Sequence, residues 1–253
     1  MKNYQNKFNK AKEEYFQFLK KRGLFKKSNF FLYENTVEKM CNWTEVDFKK
    51  TLNWYKKIRK KNRAKVVNVH LEKMKKWTYD KKKGIIKHDS GEFFNIEGKS
   101  IFNSDREVKG WDQPFIKQVG YKGGIIGLVR SIINGIPHYL IDAKFEPGNF
   151  NQIQISPSLQ ATYSNLDRVH LGSKPKVVKK YFSKHYKTIR KFWVTEDGGR
   201  LYLKRNLHWI IQYNGRINHP GKTFRWLTLW ELDKFIKIGS VVGPHLRSIL
   251  SLI

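Results

Sequence analysis

The sequence predicts an α+β protein with a mostly antiparallel sheet, preceded by a helical N-terminal region. Three observations lead to this class. Apolar and aromatic residues recur at helical spacing through much of residues 1–80. From about Trp77 the pattern changes to short apolar runs separated by glycine, which is typical of strands and hairpins. Hydrophobic residues form 40% of the 253 residues and aromatic residues 15%, which is enough for a substantial core.

The N-terminal helices are predicted from two amphipathic segments, "FNKAKEEYFQFLKK" (8–21) and "TEVDFKKTLNWYKKIRKK" (44–61). In both, apolar residues return every three to four positions while charges occupy the other faces. Thr44 is the expected N-cap of the second helix. We therefore expect surface helices or docking arms here rather than a catalytic core.

The strands are predicted from runs such as "GGIIGLVRSIINGIPHYLIDAKFEPG" (123–148), with turn signals at Asn134-Gly135 and Asn214-Gly215. Helices return around residues 174–186 and in "TLWELDKFIKIG" (228–239). In the last segment Thr228 is the expected N-cap and Gly239 the expected stop.

The charge balance suggests an anionic partner. Lysine and arginine number 51 against 21 acidic residues, a net charge of +30, which is typical of proteins that bind nucleic acid, anionic membranes or phosphate groups. A lysine-rich composition with a merely solvated surface explains the charge equally well. A nucleic-acid-binding protein without enzymatic activity is therefore kept as the alternative function.

Cysteine content and hydropathy indicate the compartment. A single cysteine, Cys41, excludes an intrachain disulfide and a cysteine-based zinc cluster. The N-terminus lacks the apolar core of a signal peptide, and no apolar run approaches the about 18 residues of a membrane helix. We expect a cytoplasmic protein with no membrane partner.

Common cofactor motifs fail on spacing. "GRINHPGKT" (215–223) separates its two glycines by five residues, whereas a P-loop needs four, and "YKGGIIG" (121–127) lacks the dinucleotide-binding pattern. No H-E-x-x-H run occurs. We expect no metal and no cofactor.

The unusual segment is "KFEPGNFNQIQISPSLQATYSNLDRVHLG" (144–172), which is neutral and rich in amides and hydroxyls within a lysine-rich chain. Glu146 precedes a Pro-Gly turn at the end of an apolar strand. Polar residues from Gln152 to Ser164 keep even parity, so one strand through them would carry a polar row on a single face. Such a row suits a sugar or a base edge. An edge strand with polar decoration is the alternative.

Several segments, in this order, resemble the NDP-hexose 2,3-dehydratase family. They are "WTYDKKKGIIKHDSGEFFNIEG" (77–98), "WDQPFIKQ" (111–118), "AKFEPGNFNQIQISPSLQATYSNLDRVHLG" (143–172), "TEDGGRLYLKRN" (195–206), "FRWLTL" (224–229) and "LRSILS" (246–251). The long third segment is the most specific. Residues 1–76 resemble the family only in being helical.

The resemblance implies a Nudix-like fold with a mixed or antiparallel sheet, flanking helices and no acidic Nudix box. It divides the chain into a helical region, residues 1–80, and one Nudix-like catalytic unit, residues 81–253, where relatives carry two in tandem. It implies a carbon-oxygen lyase that removes water across C2-C3 of a dTDP-4-keto-6-deoxyhexose in deoxysugar biosynthesis. A homodimer and a downstream 3-ketoreductase are the implied partners, and nucleic acid is not expected.

The residues expected to transfer protons are Glu146, His170 and Tyr163. The residues expected to bind the substrate through amides, hydroxyls, aromatic rings or cations are Trp111, Gln113, Asn149, Gln152, Gln160, Thr162, Ser164, Asn165, Arg168, Arg200, Lys204, Arg205, Asn206, Trp226 and Arg247. The apolar C-terminus "HLRSILSLI" (245–253) and the aromatic N-terminal helices are expected to bury at the dimer interface.

Overall fold

The computed structural model of the chain describes residues 2–120, 123–166, 175–196 and 199–253. The helices are α1 (Lys2–Lys21), α2 (Phe30–Met40), α3 (Phe48–Lys61), α4 (Tyr163–Leu166), α5 (Lys176–Tyr181), α6 (Leu229–Lys237) and α7 (Pro244–Leu250), with short 3-10 turns at Lys27–Asn29 and Leu71–Lys73. The helices predicted in residues 8–21, 44–61, 174–186 and 228–239 correspond to α1, α3, α5 and α6.

The strands form two sheets. The smaller one has the order β1 (Trp77–Asp80), β2 (Ile85–His88), β3 (Phe94–Ile101), β4 (Trp111–Gln118) and β10 (Leu201–Tyr202). The larger one has the order β12 (Phe224–Leu227), β6 (Ile136–Phe145), β5 (Gly124–Ile133), β11 (Arg205–Tyr213) and β9 (Tyr186–Thr195), with β7 (Ile153–Pro157) beside β6 and β8 (Leu159–Thr162) beside β5. β11 runs parallel to β5 and β10 parallel to β4. The predicted α+β class with mixed, mostly antiparallel sheets is confirmed.

The hairpin of β5 and β6 turns where the sequence predicts it. Asn134 and Gly135 both have positive φ, 50° and 78°. This is the geometry of a two-residue turn that matches strand twist, and it favours Asn-Gly.

Farther from the turn, the two strands of this hairpin separate: β6 pairs with β7 beyond Leu140, while β5 pairs with β8 before Val129. Ser158 bridges this fork, since its Oγ accepts the Val129 N–H and donates to the Leu140 carbonyl.

The core lies on both faces of the larger sheet. On one face α3, α6 and α7 pack against alternate strand residues such as Leu128 and Ile210, both fully buried. On the other face α5 packs against the intervening residues, among them Val129 and Ile211. The period-2 alternation of β5 and β11 therefore serves two apolar layers rather than one.

Helix ends follow local chemistry with one correction. Thr228 and Glu231 form a capping box at the start of α6, and Gly239 ends the segment at φ 75°, as predicted. The prediction of Thr44 as the cap of α3 is wrong. Asp47 takes that position and accepts the Lys49 N–H at 2.9 Å, because the helix begins three residues later than expected.

The C-terminal helix is part of the core. Leu246 and Ile249 of α7 are fully buried, and Leu252 and Ile253 pack against the same cluster. The prediction that this apolar segment is buried against a second copy is therefore wrong, because its apolar side chains already contact the chain's own sheet.

The N-terminal helices are joined to the larger sheet by a buried ionic cluster. Arg130 of β5 donates to Glu34 at 2.5 Å and to Glu38 at 2.9 Å, both on α2. Tyr139 of β6 donates to Glu38 at 3.0 Å. Lys12 of α1 pairs with Glu34 at 3.1 Å. Hydrogen bonds and charge pairing thus fix α1 and α2 to β5 and β6.

The division at residue 80 stays a prediction. Tyr55 of α3 lies in the core beside the larger sheet and donates to the Ile153 carbonyl at 2.8 Å.

Among the described residues, no helix is long and apolar enough to span a membrane.

Candidate active site

A cavity of about 240 Å³ opens where the last helix crosses the larger sheet. Among the described residues, seven line it: Thr195, Glu196, Asn206, His208, Pro244, His245 and Ser248. They come from the end of β9, the start of β11 and the first turns of α7. His245 and Ser248 are three residues apart on α7, so both side chains project from the same face of the helix.

Glu196 is the centre of the polar contacts in the cavity. Its Oε2 accepts the Asn206 amide at 2.6 Å, and its Oε1 lies 3.2 Å from His245 Nε2. With the Nε2 proton donated to Glu196, the Nδ1 lone pair of a neutral His245 is free to accept a proton. Asn206, Glu196 and His245 therefore form a chain in which each group orients the next.

His208 is a second buried imidazole. Its Nδ1 faces the Asn206 carbonyl at 3.3 Å and its Nε2 lies 2.9 Å from Ser248 Oγ. A carbonyl only accepts, so Nδ1 carries the proton and Nε2 accepts from the serine hydroxyl. Burial lowers the pKa of His208, and His245 adds to this effect. His208 thus stays neutral and holds α7 to β11.

Glu146 lies at the start of the segment between β6 and β7. Its Oε1 accepts Lys144 Nζ at 2.5 Å and Gln160 Nε2 at 3.3 Å. The backbone carbonyl of Glu146 accepts the Asn149 N–H at 3.1 Å, which closes the predicted Pro-Gly turn. The carboxylate is therefore half-buried and held by a cation and an amide.

Lys204 is a buried cation between the two sheets. It is 7% exposed, and its Nζ donates to Gln118 Oε1. The Gln118 amide in turn donates to the Gly123 carbonyl at 2.9 Å. Burial lowers the pKa of Lys204, and the Glu196 carboxylate opposes this shift. A desolvated ammonium is a strong partner for developing negative charge.

The electrostatics of His245 connect these groups. Burial is the largest cause that lowers its pKa, and the Glu196 carboxylate opposes it. The Lys144 and Lys204 ammonium groups lower the pKa further, and Glu146 raises it. We use the name candidate site for the seven cavity residues together with Gln118, Lys144, Glu146, Gln160 and Lys204.

The candidate site contains four of the predicted residues, namely Glu146, Gln160, Lys204 and Asn206. No three His, Cys, Asp or Glu side chains are grouped to hold a metal ion within the part of the chain that the structure describes.

Other predicted residues lie elsewhere. Trp111 donates to Gln113 at 2.6 Å at the far end of β4 from Gln118. Trp226 is 8% exposed and packs in the core beside Tyr181. Neither tryptophan lines the cavity, and their contacts with a substrate stay predictions.

The predicted phosphate-binding arginines are dispersed. Arg205 is exposed and lies over the Trp193 ring at 4.8 Å. It alternates with Asn206 on β11, so it projects away from the cavity. Arg200 and Arg247 are exposed. The structure does not bring these three arginines into the cavity.

The remaining predicted site residues lie within the polar segment, residues 144–172. Tyr163 packs against the core on the face opposite Gln160. Thr162 accepts the Asn165 N–H at 3.4 Å, and Gln152 has a positive φ of 57° in the turn closed on Asn149. His170, Arg168 and the side chain of Ser164 lie outside the described residues.

The prediction of a single polar strand from Gln152 to Ser164 is wrong. The chain forms two strands, β7 and β8, and changes partner at Ser158. Gln154 donates to the Ser240 carbonyl at 2.8 Å, and Ser158 is bound at the fork. Most of the row therefore satisfies backbone groups, and Gln160 is the member whose side chain contacts Glu146.

Sequence reasoning missed Glu196, His208, His245 and Ser248. Glu196 stood within a quoted family-like segment, and His245 with Ser248 has the i, i+3 spacing of one helix face. A search for titratable groups beside predicted glycine and proline boundaries would have found His245, which follows Gly243-Pro244.

Two known proteins that are similar to this chain have the same name. A dTDP-4-dehydro-6-deoxy-alpha-D-glucopyranose 2,3-dehydratase from Streptomyces violaceoruber is 29% identical over 204 residues, 78% of this chain and 44% of the relative. A protein of the same name from Saccharopolyspora spinosa is 31% identical over 186 residues, 73% of this chain and 38% of the relative. The chain thus spans less than half the length of these relatives.

Solved structures similar to the chain include a Nudix hydrolase from M. smegmatis, with a TM-score of 0.35 and 11% identity over 61% of this chain and 97% of that one. Residues 48–253, which contain every residue of the candidate site, match the NDP-hexose 2,3-dehydratase family, and the chain belongs to that family.

Proposed function

We propose that this chain dehydrates a dTDP-4-keto-6-deoxyhexose across C2-C3, acting as a carbon-oxygen lyase. The observation that carries the proposal is the Glu196–His245 pair next to the buried Lys204. Family membership and the names of the relatives support the substrate class. The cavity of about 240 Å³ is smaller than the about 300–1,000 Å³ of sites for drug-sized ligands, so it suits the sugar ring, with the nucleotide outside it.

The dehydration needs a base for the C3 proton, an acid for the departing hydroxyl and a group that stabilises negative charge on the C4 oxygen. The C4 ketone acidifies the C3 proton, so a base removes that proton and negative charge develops on the C4 oxygen. The C2 hydroxyl then departs with a proton, which restores the C4 ketone and leaves a C2-C3 enol. The enol gains a proton at C2 and becomes the 3,4-diketo sugar. No electron acceptor is consumed.

His245 is the proposed base. Glu196 holds its Nε2 proton, so Nδ1 receives the C3 proton, and the imidazolium that forms is stabilised by the adjacent carboxylate. The lowered pKa of His245 keeps the imidazole unprotonated at neutral pH. A base in this state is ready to act without first losing a proton.

Lys204 and the Lys144–Glu146 pair are the proposed electrophilic and acidic groups. Lys204 binds the C4 oxygen as charge develops, because a desolvated ammonium interacts more strongly than one in water. Lys144 and Glu146 transfer a proton to the departing hydroxyl, with Gln160 fixing the carboxylate. Tyr163 and His170 stay predictions as proton-transfer groups, and the other predicted binding residues stay predictions as ligand contacts.

Turnover of dTDP-4-keto-6-deoxyglucose tests the proposal when a 3-ketoreductase traps the diketone. The reaction is run in deuterated water, and no metal or nicotinamide is added for the dehydration step. The product should then carry deuterium at C2. His245→Asn and Glu196→Gln should each lower kcat by about 10²-fold or more with little change in dTDP affinity. His185→Asn, an exposed histidine outside the site, is the matched control.

The pH profile separates catalysis from folding. Since the pKa of His245 is lowered, the acid limb of kcat/KM should lie below about pH 6.5, the ordinary histidine value. Turnover that needs a metal, equal loss of dTDP binding in both variants, or thermal stabilisation by single-stranded DNA alone would contradict the proposal.

Two partners belong to the same proposal. A 3-ketoreductase must consume the reactive diketone. The other partner is a second copy of this chain in a homodimer about a twofold axis. Its contact uses exposed apolar side chains of the N-terminal helices, such as Phe18 and Phe30, 48% and 44% exposed. Sedimentation across salt and protein concentration tests this: a fully active monomer would rule the dimer out.

A further inference from the structure

A larger cavity lies at the other end of the sheet from the candidate site. Its volume is about 750 Å³, and it is bounded by α3, the β5–β6 turn, β12 and the loop before β12. We use the name Arg225 groove for it, with Trp54, His138, Lys222, Phe224 and Arg225 among its lining residues. On β6, Ile141 pairs with Arg225, and Glu146 of the candidate site follows five residues later, so at about 3.3 Å per residue Arg225 and Glu146 are about 17 Å apart along the strand direction.

Arg225 is a cation with unused hydrogen-bond donors. Its guanidinium lies 5.5 Å from the centroid of the Trp54 ring. Among the described residues it forms no ion pair and no hydrogen bond. A guanidinium carries five N–H donors in a planar fork that matches phosphate or carboxylate oxygens. Trp54 therefore positions this fork at the groove without occupying it.

The surrounding charge favours an anion. Lys222 is exposed at the groove, and no Asp or Glu is found among its described lining residues. A neighbouring cavity of about 470 Å³ shares Arg225 and His138 and contains Glu45 and Asp47. Asp47 is engaged as the N-cap of α3. The described residues of the groove thus include cations and aromatic rings but no carboxylate.

His138 adds a directional acceptor. It is 8% exposed, and its Nδ1 lies 2.8 Å from the Ile136 carbonyl, so Nδ1 carries the proton. The Nε2 atom of the neutral ring is then an acceptor that has no partner among the described residues. Burial lowers the pKa of His138, which maintains this neutral form.

We propose that the Arg225 groove binds a nucleoside phosphate, separately from the candidate site. Arg225 and Lys222 receive the phosphates, the base lies against the Trp54 and Phe224 rings, and a hydroxyl or amino group donates to His138. The volume falls within the about 300–1,000 Å³ of small-molecule sites, which a nucleotide fills and an inorganic anion does not.

Titration calorimetry on the full chain tests this with ADP as probe and with adenosine and pyrophosphate as its two halves. We expect ADP to bind more tightly than either half. Arg225→Gln should weaken ADP binding roughly tenfold to a hundredfold, the effect of losing a hydrogen bond to a charged group. Arg22→Gln is the matched control, since Arg22 is exposed and lies over the Phe18 ring at 4.7 Å.

Two further variants keep the test decisive. Trp54→Leu should weaken ADP binding by a larger factor than pyrophosphate binding, because it removes the ring that contacts the base as well as the support of the Arg225 guanidinium. Lys222→Gln gives a second, exposed probe of the phosphate contact if Arg225→Gln does not fold. His245→Asn should bind ADP as the parent does. Equal ADP affinity in Arg225→Gln, pyrophosphate binding as tight as ADP, or loss of ADP binding in His245→Asn would overturn the proposal. None of these readouts depends on turnover.

Discussion

Replacement of Arg130 by methionine should destabilise the protein strongly, because it leaves carboxylates buried without their cation. The Arg130 side chain is 6% exposed, and those of Glu34 and Glu38 are 10% and 2% exposed. Glu34 keeps Lys12 at 3.1 Å, whereas the one remaining contact of Glu38 among the described residues is the Tyr139 hydroxyl at 3.0 Å. Glu38 is thus the charge that loses its counterion.

Removing one partner of a buried ion pair costs about 3–5 kcal/mol. With a urea slope of about 3 kcal/mol per M, the unfolding midpoint should fall by about 1–1.7 M at an unchanged slope. Urea unfolding followed by circular dichroism and by tryptophan fluorescence measures this. Lys12→Met, which removes a more exposed cation from the same cluster, should cost about 1 kcal/mol or less.

A double variant tests the cause. Arg130→Met with Glu38→Gln removes the unpaired charge along with the arginine, so it should recover part of the lost stability. The single variant should also regain stability as pH falls, because Glu38 then takes up a proton. A loss below about 1 kcal/mol in Arg130→Met, or a double variant less stable than the single one, would refute the reasoning.

Two further outcomes follow. Burial raises the pKa of Glu38 from 4.5 to about 7, so the native state binds more protons than the unfolded chain between these values, and stability should fall by at most about 3 kcal/mol as pH rises from 4.5 to 7. Arg130 stays protonated throughout, so a parent and Glu38→Gln with the same pH dependence of urea unfolding would contradict this. Gly123→Ala should cost about 1–3 kcal/mol, because φ is 73° and the new Cβ would lie 2.3 Å from the Arg205 carbonyl oxygen. Gly148→Ala, which meets nothing within 4 Å, should change the urea midpoint little, and equal midpoints for the two variants would exclude the clash.

The sequence by itself determined the properties that depend on neighbours along the chain. The helical and alternating periods, the Asn134-Gly135 turn and the Thr228 cap were all predictable, because each depends on a few consecutive residues. The family resemblance could also be identified from the sequence, because it depends on segments that occur in a given order along the chain. The prediction of one polar strand failed at Ser158, where nothing local shows that the chain will change strand partner.

Only the tertiary structure decided which of these segments share a site. Glu196 and His245 come from different elements, and they meet because α7 crosses the sheet where β11 runs parallel to β5. Hydrophobic patterns specify which face of an element is buried but not which element covers it. For the same reason the Arg130 cluster could not be predicted. The α2 carboxylates are buried against an apolar sheet only because Arg130, which is distant in sequence, pairs with them.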